Sequence, residues 1–552
     1  MNPLLNEGTA AHSPSDRADE CPPRAHSPPS AGRLRIALPV LIALATLLVS
    51  ALVWKRKWKI GIPDQWQWEF FLKPRNYIAA VPVIVYCALL AITVAECLRR
   101  GLAQRRNEII GVGLCMALAL GIIVETAQAV PVDSYDAWTC GSIVAPWAGG
   151  YYAEAVLRVP DMGVYLKNYD GMISRLKVND IIRGHIADHP AGPVVFHWAV
   201  NRALDHWPAA RRSFTPASAA EVIGFDRQGA PITERQFFEL LYLQRKLSDG
   251  ESAGIWASAF LLRLGYWVML PLIYLLVREI HSREAGLLAL ALAALIPSLH
   301  LFSPYPDLLL PLFAVAAFYA WQRALRRGSV AWAALSGAIV VVGLLWSMSL
   351  LVTVALIGAY SILVAWRGAI EGCGGPGING WLRATFGWAA GFLISSLLPA
   401  FLFRYDVWSV WRTCLAQLAT FGEYFPRSYW AWTLFNPVEF AVFAGLPMFL
   451  LLMVTAAVDF RRWWPERRRR ALSSLPWALL VVLTALNFSG KNLGEVARLW
   501  MFLMPFVAAA AACALAALDG KRGWVAALVL ALAAVQLTVF RLSLNTFNVE
   551  GL

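Results

Sequence analysis

Residues 499–518 read LWMFLMPFVAAAAACALAAL, residues 523–543 read GWVAALVLALAAVQLTVFRLS, and Asp519-Gly520-Lys521-Arg522 separates them. A helix needs about 20 apolar residues to cross a bilayer. Each run is long enough, and the cationic turn between them marks a membrane face. Working outward, the same criterion selects eleven more segments, near 34–54, 77–97, 108–130, 255–277, 284–301, 307–322, 330–347, 350–366, 384–403, 436–458 and 472–488. The whole chain agrees: 59% of its 552 residues are hydrophobic and 15% are charged, against about 25% charged in a soluble domain. The expected fold is therefore an all-α polytopic membrane protein, a bundle of about 13 transmembrane helices. Residues 1–32, rich in Pro, Ser and Ala, read as a disordered cytoplasmic tail.

The net charge of +13 excludes little by itself, because the cations lie in short clusters between apolar runs. That is the pattern of membrane orientation, not of a nucleic-acid face. With the N-terminus inside, the inner loops hold nineteen Lys and Arg, and the short outer loops after the fourth helix hold far fewer, among them Arg412, Arg427, Lys491 and Arg498. The first outer loop runs against this rule with Lys55, Arg56, Lys57, Lys59, Lys73 and Arg75. The eight cysteines form no CxxC or Cys/His zinc spacing. Cys140 and Cys414 fall on the outer face, where a disulfide is open to them.

This orientation leaves residues 131–254 as one long extracytoplasmic loop with short amphipathic helices. A connection longer than about 12–15 residues in a compact protein is usually functional. Its densest stretch runs through Tyr151, Tyr152 and Glu154, then Asp161, then Tyr165 to Asp170, and ends in His185-Ile186-Ala187-Asp188-His189-Pro190-Ala191-Gly192-Pro193. A carboxylate held by such a Pro/Gly-punctuated turn, partly desolvated, acquires a pKa nearer that of a general base. The plainer alternative is a solvated loop whose acids cap short helices. Asp307 and Arg498 open two membrane segments, where ionised groups are costly and tend to face a cavity or a partner. Otherwise they are ordinary helix-end charges at the interface.

The sequence order is a long loop with acids, a His-Pro turn, Arg263 in Leu261-Leu262-Arg263-Leu264, then Tyr305-Pro306-Asp307. It resembles bacterial membrane glycosyltransferases of the GT-C class, relatives of the protein O-mannosyltransferases and of the lipid A aminoarabinose transferase. Asp188-His189-Pro190-Ala191-Gly192 is similar to their Asp-x-His-Pro-Pro-x-Gly turn, with Ala191 in place of the second proline. Tyr152-Ala153-Glu154 is similar to the Tyr-Ala-Glu of the aminoarabinose branch. The resemblance covers about residues 108–325. It departs in two ways: the long loop follows the third helix instead of the first, and no Asp-Glu pair stands in the usual catalytic place.

The resemblance implies a GT-C-like bundle, with residues 33–107 an added helix pair, 108–325 the catalytic core and 326–552 the helices forming a lipid-carrier groove. It implies transfer of a sugar from a polyprenyl-phosphate donor to a protein, lipid or polysaccharide acceptor at the outer face of a bacterial inner membrane, by inverting displacement. The base is Asp161, with Glu154, Asp136 and Asp133 as alternatives, and Asp307 positions acceptor or base. Arg498 suits bidentate phosphate contact and holds the carrier phosphate with His189 and Arg263. Tyr152, Asp188, His185 and Tyr305 position substrate. No cofactor is assigned and no spacing demands a metal, although acids and histidines share the loop. The rival readings are a secondary transporter, with Glu125 or Glu439 as coupling acid, and a scaffold that keeps the fold without activity.

Overall fold

The computed structural model describes residues 31–71, 77–130, 135–146, 149–180, 183–215, 222–225, 231–233, 243, 245–371, 377–467, 471–519 and 523–546. Lipid offers no hydrogen bonds to a backbone, so a spanning segment has to satisfy its own amides, which a helix does. Ten helices among the described residues are long and apolar enough to cross a membrane, from Ala37–Trp54 to Trp524–Ser543. Two shorter apolar helices, Val330–Trp346 and Ser474–Phe488, join them. A broken pair, Arg283–Ala293 and Pro297–Leu301, occupies the remaining apolar segment, interrupted just before Pro297. The protein is an all-α polytopic membrane protein.

The core lies where small side chains let helices approach closely. Ala508 to Ala512 are buried against the fully buried stretch Leu287 to Ala294. Large apolar side chains such as Ile78, Phe386, Phe401 and Leu434 point outward, as expected of a surface wetted by lipid. Cys140 and Cys414 are both buried, and no disulfide joins them.

The long segment between the third and fourth spanning helices folds into short helices, from Tyr135–Val144 to Pro208–Phe214. The fourth spanning helix, Asp249–Ile280, starts six residues earlier than its apolar run. Ser248 and Glu251 form a capping box there, with the Ser248 hydroxyl accepting from Glu251 N and the Glu251 side chain accepting from Ser248 N. Such a cap stabilises a helix start by about 1 kcal/mol.

The first polar connection makes a small hairpin, Gly61–Ile62 against Trp66–Gln67. Just beyond it, past Trp68, Glu69 and Phe70 pair antiparallel with Asn545 and Leu544, near the far end of the described chain. Two of its cations are held locally. Lys59 pairs with Glu69 at 2.8 Å, and Arg56 donates to the Phe71 carbonyl at 2.6 Å. Lys73 and Arg75 lie outside the described residues. The hairpin, the short helices of residues 135–214, Asp307 and Arg498 all sit at the same end of the helix bundle, because each borders the corresponding end of a spanning helix.

Candidate active site

The site is built on the turn Asp188-His189-Pro190-Ala191-Gly192. Gly192 opens the helix Gly192–His206 against the carbonyl oxygen of Leu345. A Cβ at this position would lie 2.3 Å from that oxygen. Two tyrosines, their rings 5.9 Å apart, fix the turn. Tyr169 donates its hydroxyl to the His189 carbonyl at 2.8 Å, and the Ala191 amide donates to the Tyr405 hydroxyl at 3.2 Å. The His189 ring sits with Nδ1 2.7 Å from Asp188 Oδ1. His185, in the preceding helical turn Gly184–Ala187, meets it edge-on at 5.9 Å between ring centroids, and Tyr151 does so at 5.8 Å.

The two histidines are driven apart electrostatically. Burial lowers the pKa of His185 to about 4. Burial also works against a charged His189, but the neighbouring Asp188 carboxylate outweighs it and raises the His189 pKa. Asp188 is itself held below the ordinary carboxylate range, because His189 overcomes the cost of burial. One neutral and one readily protonated imidazole thus stand side by side, the kind of split that distinguishes acid from base in a site. One donor atom from each of His185, Asp188 and His189 lies within 4.8 Å of the others. Two imidazoles and a carboxylate form a donor set that suits a divalent cation of the zinc class.

Asp307 and Arg498 complete the cluster. Asp307 lies in the single turn Pro306–Leu309 that opens a spanning helix. Arg498 lies in the turn Val496–Leu499 that opens another. Arg498 Nε is 3.7 Å from Asp307 Oδ2, and its Nη2 is 3.5 Å from Glu495 Oε2. Glu495 in turn binds Arg427 at 2.9 Å. Burial opposes the charges of Glu495 and Arg498, yet their mutual attraction, with Arg427 and Asp307, lowers the first pKa and raises the second. The loop geometry demands unusual backbone. Gly494 has φ 88° and Glu495 φ 57°, and a Cβ on Gly494 would meet Arg427 and Trp432 at 2.9 Å. A non-glycine residue in that region is held there by its surroundings, here by the two arginines. The charges of Asp307 and Arg498 both act on His185, His189 and Tyr151.

The other expected residues are placed differently. Arg263 donates to the Ser303 hydroxyl at 3.1 Å, one turn from Asp307. Tyr305 is buried and donates to the Thr546 carbonyl at 3.2 Å. Tyr152 is fully buried and donates to Asn201 at 3.1 Å and to the Glu251 carbonyl, tying its helix to the start of Asp249–Ile280. Glu154 is 1% exposed and is engaged by Arg183 at 2.6 Å, by Arg158 at 3.6 Å and by the Tyr165 hydroxyl. Asp161 is exposed and caps the helix Met162–Lys167, accepting from Val164 N at 2.9 Å. Neither Glu154 nor Asp161 belongs to the cluster. Asp133 and the Asp136 side chain lie outside the described residues. Sequence reading missed Glu495, Arg427 and Tyr405. Glu495 alone carried a signal, three residues before an arginine already singled out.

The family described as dolichyl-phosphate-mannose-protein mannosyltransferase matches residues 243–371, less than half of the chain. The match overlaps the stretch expected to carry the resemblance only over 243–325. It contains Arg263, Tyr305 and Asp307 and leaves out the His-Pro turn and Arg498. No curated protein matches the chain. Among solved structures, the Archaeoglobus fulgidus oligosaccharyltransferase, crystallised as a complex with Zn and sulfate, aligns at 15% identity over 74% of this chain with a TM-score of 0.32. The chain spans about half, 52%, of that protein's length. This polytopic membrane protein is thus similar, over residues 243–371, to the dolichyl-phosphate-mannose-protein mannosyltransferases, and through them to membrane glycosyltransferases of the GT-C class.

Proposed function

We propose that the protein is an integral membrane glycosyltransferase that moves a sugar from a polyprenyl-phosphate donor to an acceptor at the outer face of a bacterial inner membrane. The observation that carries this reading is that the Asp307–Arg498 pair, at the mouths of two spanning helices, lies near enough to the Asp188–His189 pair for its charges to act on the His189 ring. A lipid-linked donor has to present its phosphate at that depth. In a single displacement, the acceptor oxygen attacks the anomeric carbon as the bond to the carrier phosphate breaks, inverting the centre. A carboxylate takes the acceptor proton, and cations receive the charge on the departing phosphate.

Asp307 is the base in this proposal. It is 26% exposed, enough to reach an acceptor, and its Arg498 partner stands where the phosphate charge would develop. Asp161 as a helix cap and Glu154 inside an arginine pair are both committed elsewhere. Arg498 and His189 hold the phosphate, with Asp188 orienting the His189 ring.

The test is sugar transfer by the full chain in detergent, with polyprenyl-phosphate sugars and a crude acceptor extract. Asp307→Asn should lose about 10²–10⁴-fold in rate, the usual contribution of a general base, and Asp161→Asn should stay within a few-fold of the parent. Unchanged transfer in Asp307→Asn would remove Asp307 as base.

A further inference from the structure

A carboxylate sits inside the bundle where neither packing nor the proposed chemistry requires one. Glu439 lies ten residues into the helix Tyr429–Glu466 and is fully buried, about 15 Å from the helix start at 1.5 Å per residue. Its Oε1 accepts two hydrogen bonds. One comes from the Trp68 indole at 2.9 Å, the other from the Ala497 amide at 3.1 Å. Its Oε2 is buried with no partner among the described residues. A buried, half-satisfied carboxylate is costly to keep, and such a group calls for an explanation.

Ala497 immediately precedes Arg498, and Trp68 belongs to the hairpin connection between the first two helices. The same helix face carries further anchors for both. Asn436, one turn earlier, donates to the Asn492 carbonyl at 2.9 Å and accepts from Gly494 N at 3.0 Å. Trp432 donates to Gln65 at 3.0 Å, and the Ser428 amide donates to the same Gln65 oxygen at 2.8 Å. Residues 428, 432, 436 and 439 therefore hold the arginine loop and the hairpin side by side. Of these four, Glu439 is the one whose single oxygen touches both.

We propose that Glu439 is a positioning residue for Arg498. It fixes the loop that presents this guanidinium to the donor phosphate, and through Trp68 it makes that geometry depend on the hairpin. This rests on the reading of Arg498 as a phosphate-binding group. Glu439 touches no substrate and acts only through the backbone at Ala497.

The experiment measures the dissociation constant of a sugar-free polyprenyl phosphate for the full chain in detergent. Glu439→Ala should weaken binding about 10- to 100-fold, the span expected for losing hydrogen bonds to a charged group. Glu439→Gln keeps an acceptor oxygen for both donors and should remain within about threefold of the parent. Trp68→Phe removes only the indole donor, keeps the ring contacts with Phe302 and Phe443 at 5.4 and 5.6 Å, and should weaken binding a few-fold. Added to Arg498→Ala, Glu439→Ala should cost less than about twofold more, since coupled residues fail to add.

Parent-like binding in Glu439→Ala would overturn the inference. So would no rescue by Gln, or a Glu439→Ala effect of full size in the Arg498→Ala background, which would mark Glu439 as merely structural. Equal binding by the parent and Arg498→Ala, or no binding by the parent, would instead remove the phosphate reading itself, and this inference with it.

Discussion

Arg498 is poised between two acids, Asp307 at 3.7 Å and Glu495 at 3.5 Å. Glu495 already has Arg427 at 2.9 Å as a closer partner, so Arg498 can turn toward an incoming anion without leaving Glu495 unpaired. Glu154 is the opposite case. It is buried beneath Arg183 and Arg158, so breaking the pairing should cost stability and not chemistry. Glu154→Gln is expected to destabilise the protein by about 2–4 kcal/mol, below the full cost of opening a deeply buried pair because Arg183 is 20% exposed. Thermal unfolding in detergent reads this, and transfer at low temperature should persist. These two acids also mark how far a site can be read along the chain. Asp307 and Arg498 stood out because lipid makes a charge at a helix mouth expensive. Glu154 and Asp161 looked chemical beside tyrosines and a His-Pro turn, but their partners decide their roles. Arg183 lies 29 residues from Glu154, a distance across which no local pattern carries information, and a helix cap is indistinguishable from a base until the helix is seen.

Among the elements, the His-Pro turn depends most on a single atom being absent. Gly192 lies against the Leu345 carbonyl, which is backbone and cannot swing aside. Gly192→Ala should therefore push the turn away from the helix Val330–Trp346. Overpacking of this kind costs about 1–3 kcal/mol, and transfer should fall by more than that loss of stability explains. The check is a lowered melting midpoint together with reduced transfer well below that temperature. Gly192 was legible as part of a turn, but the carbonyl opposite it was not. Apolar run lengths located the spanning helices well, because backbone satisfaction in lipid leaves no alternative. The start of Asp249–Ile280 escaped them, since its first turn is set by the Ser248–Glu251 cap and not by hydrophobicity.

For the molecule as a whole, the proposed chemistry requires the cluster to face the outside. Asp161 is exposed on the cluster's side of the bundle, and Arg327 is exposed at the far end of the helix that the Asp307 turn opens. In intact spheroplasts, Asp161→Cys should react with a membrane-impermeant maleimide, whereas Arg327→Cys should react only after permeabilisation. The reverse pattern would put the site in the cytosol and end the proposal. The Lys and Arg asymmetry points to this direction everywhere except in the first connection. There the cations serve the local contacts of Arg56 and Lys59, which a charge count does not register.

The pairing of Glu69 and Phe70 with Asn545 and Leu544 joins residues made more than four hundred positions apart. During synthesis, the earlier strand enters the membrane long before its mate leaves the ribosome. Until then it has no ladder to complete, and contacts so distant in sequence form late. A nascent chain arrested before residue 544 would therefore still have this seam open, and the machinery at its mouth would be assembled only after the helix Trp524–Ser543 has been made.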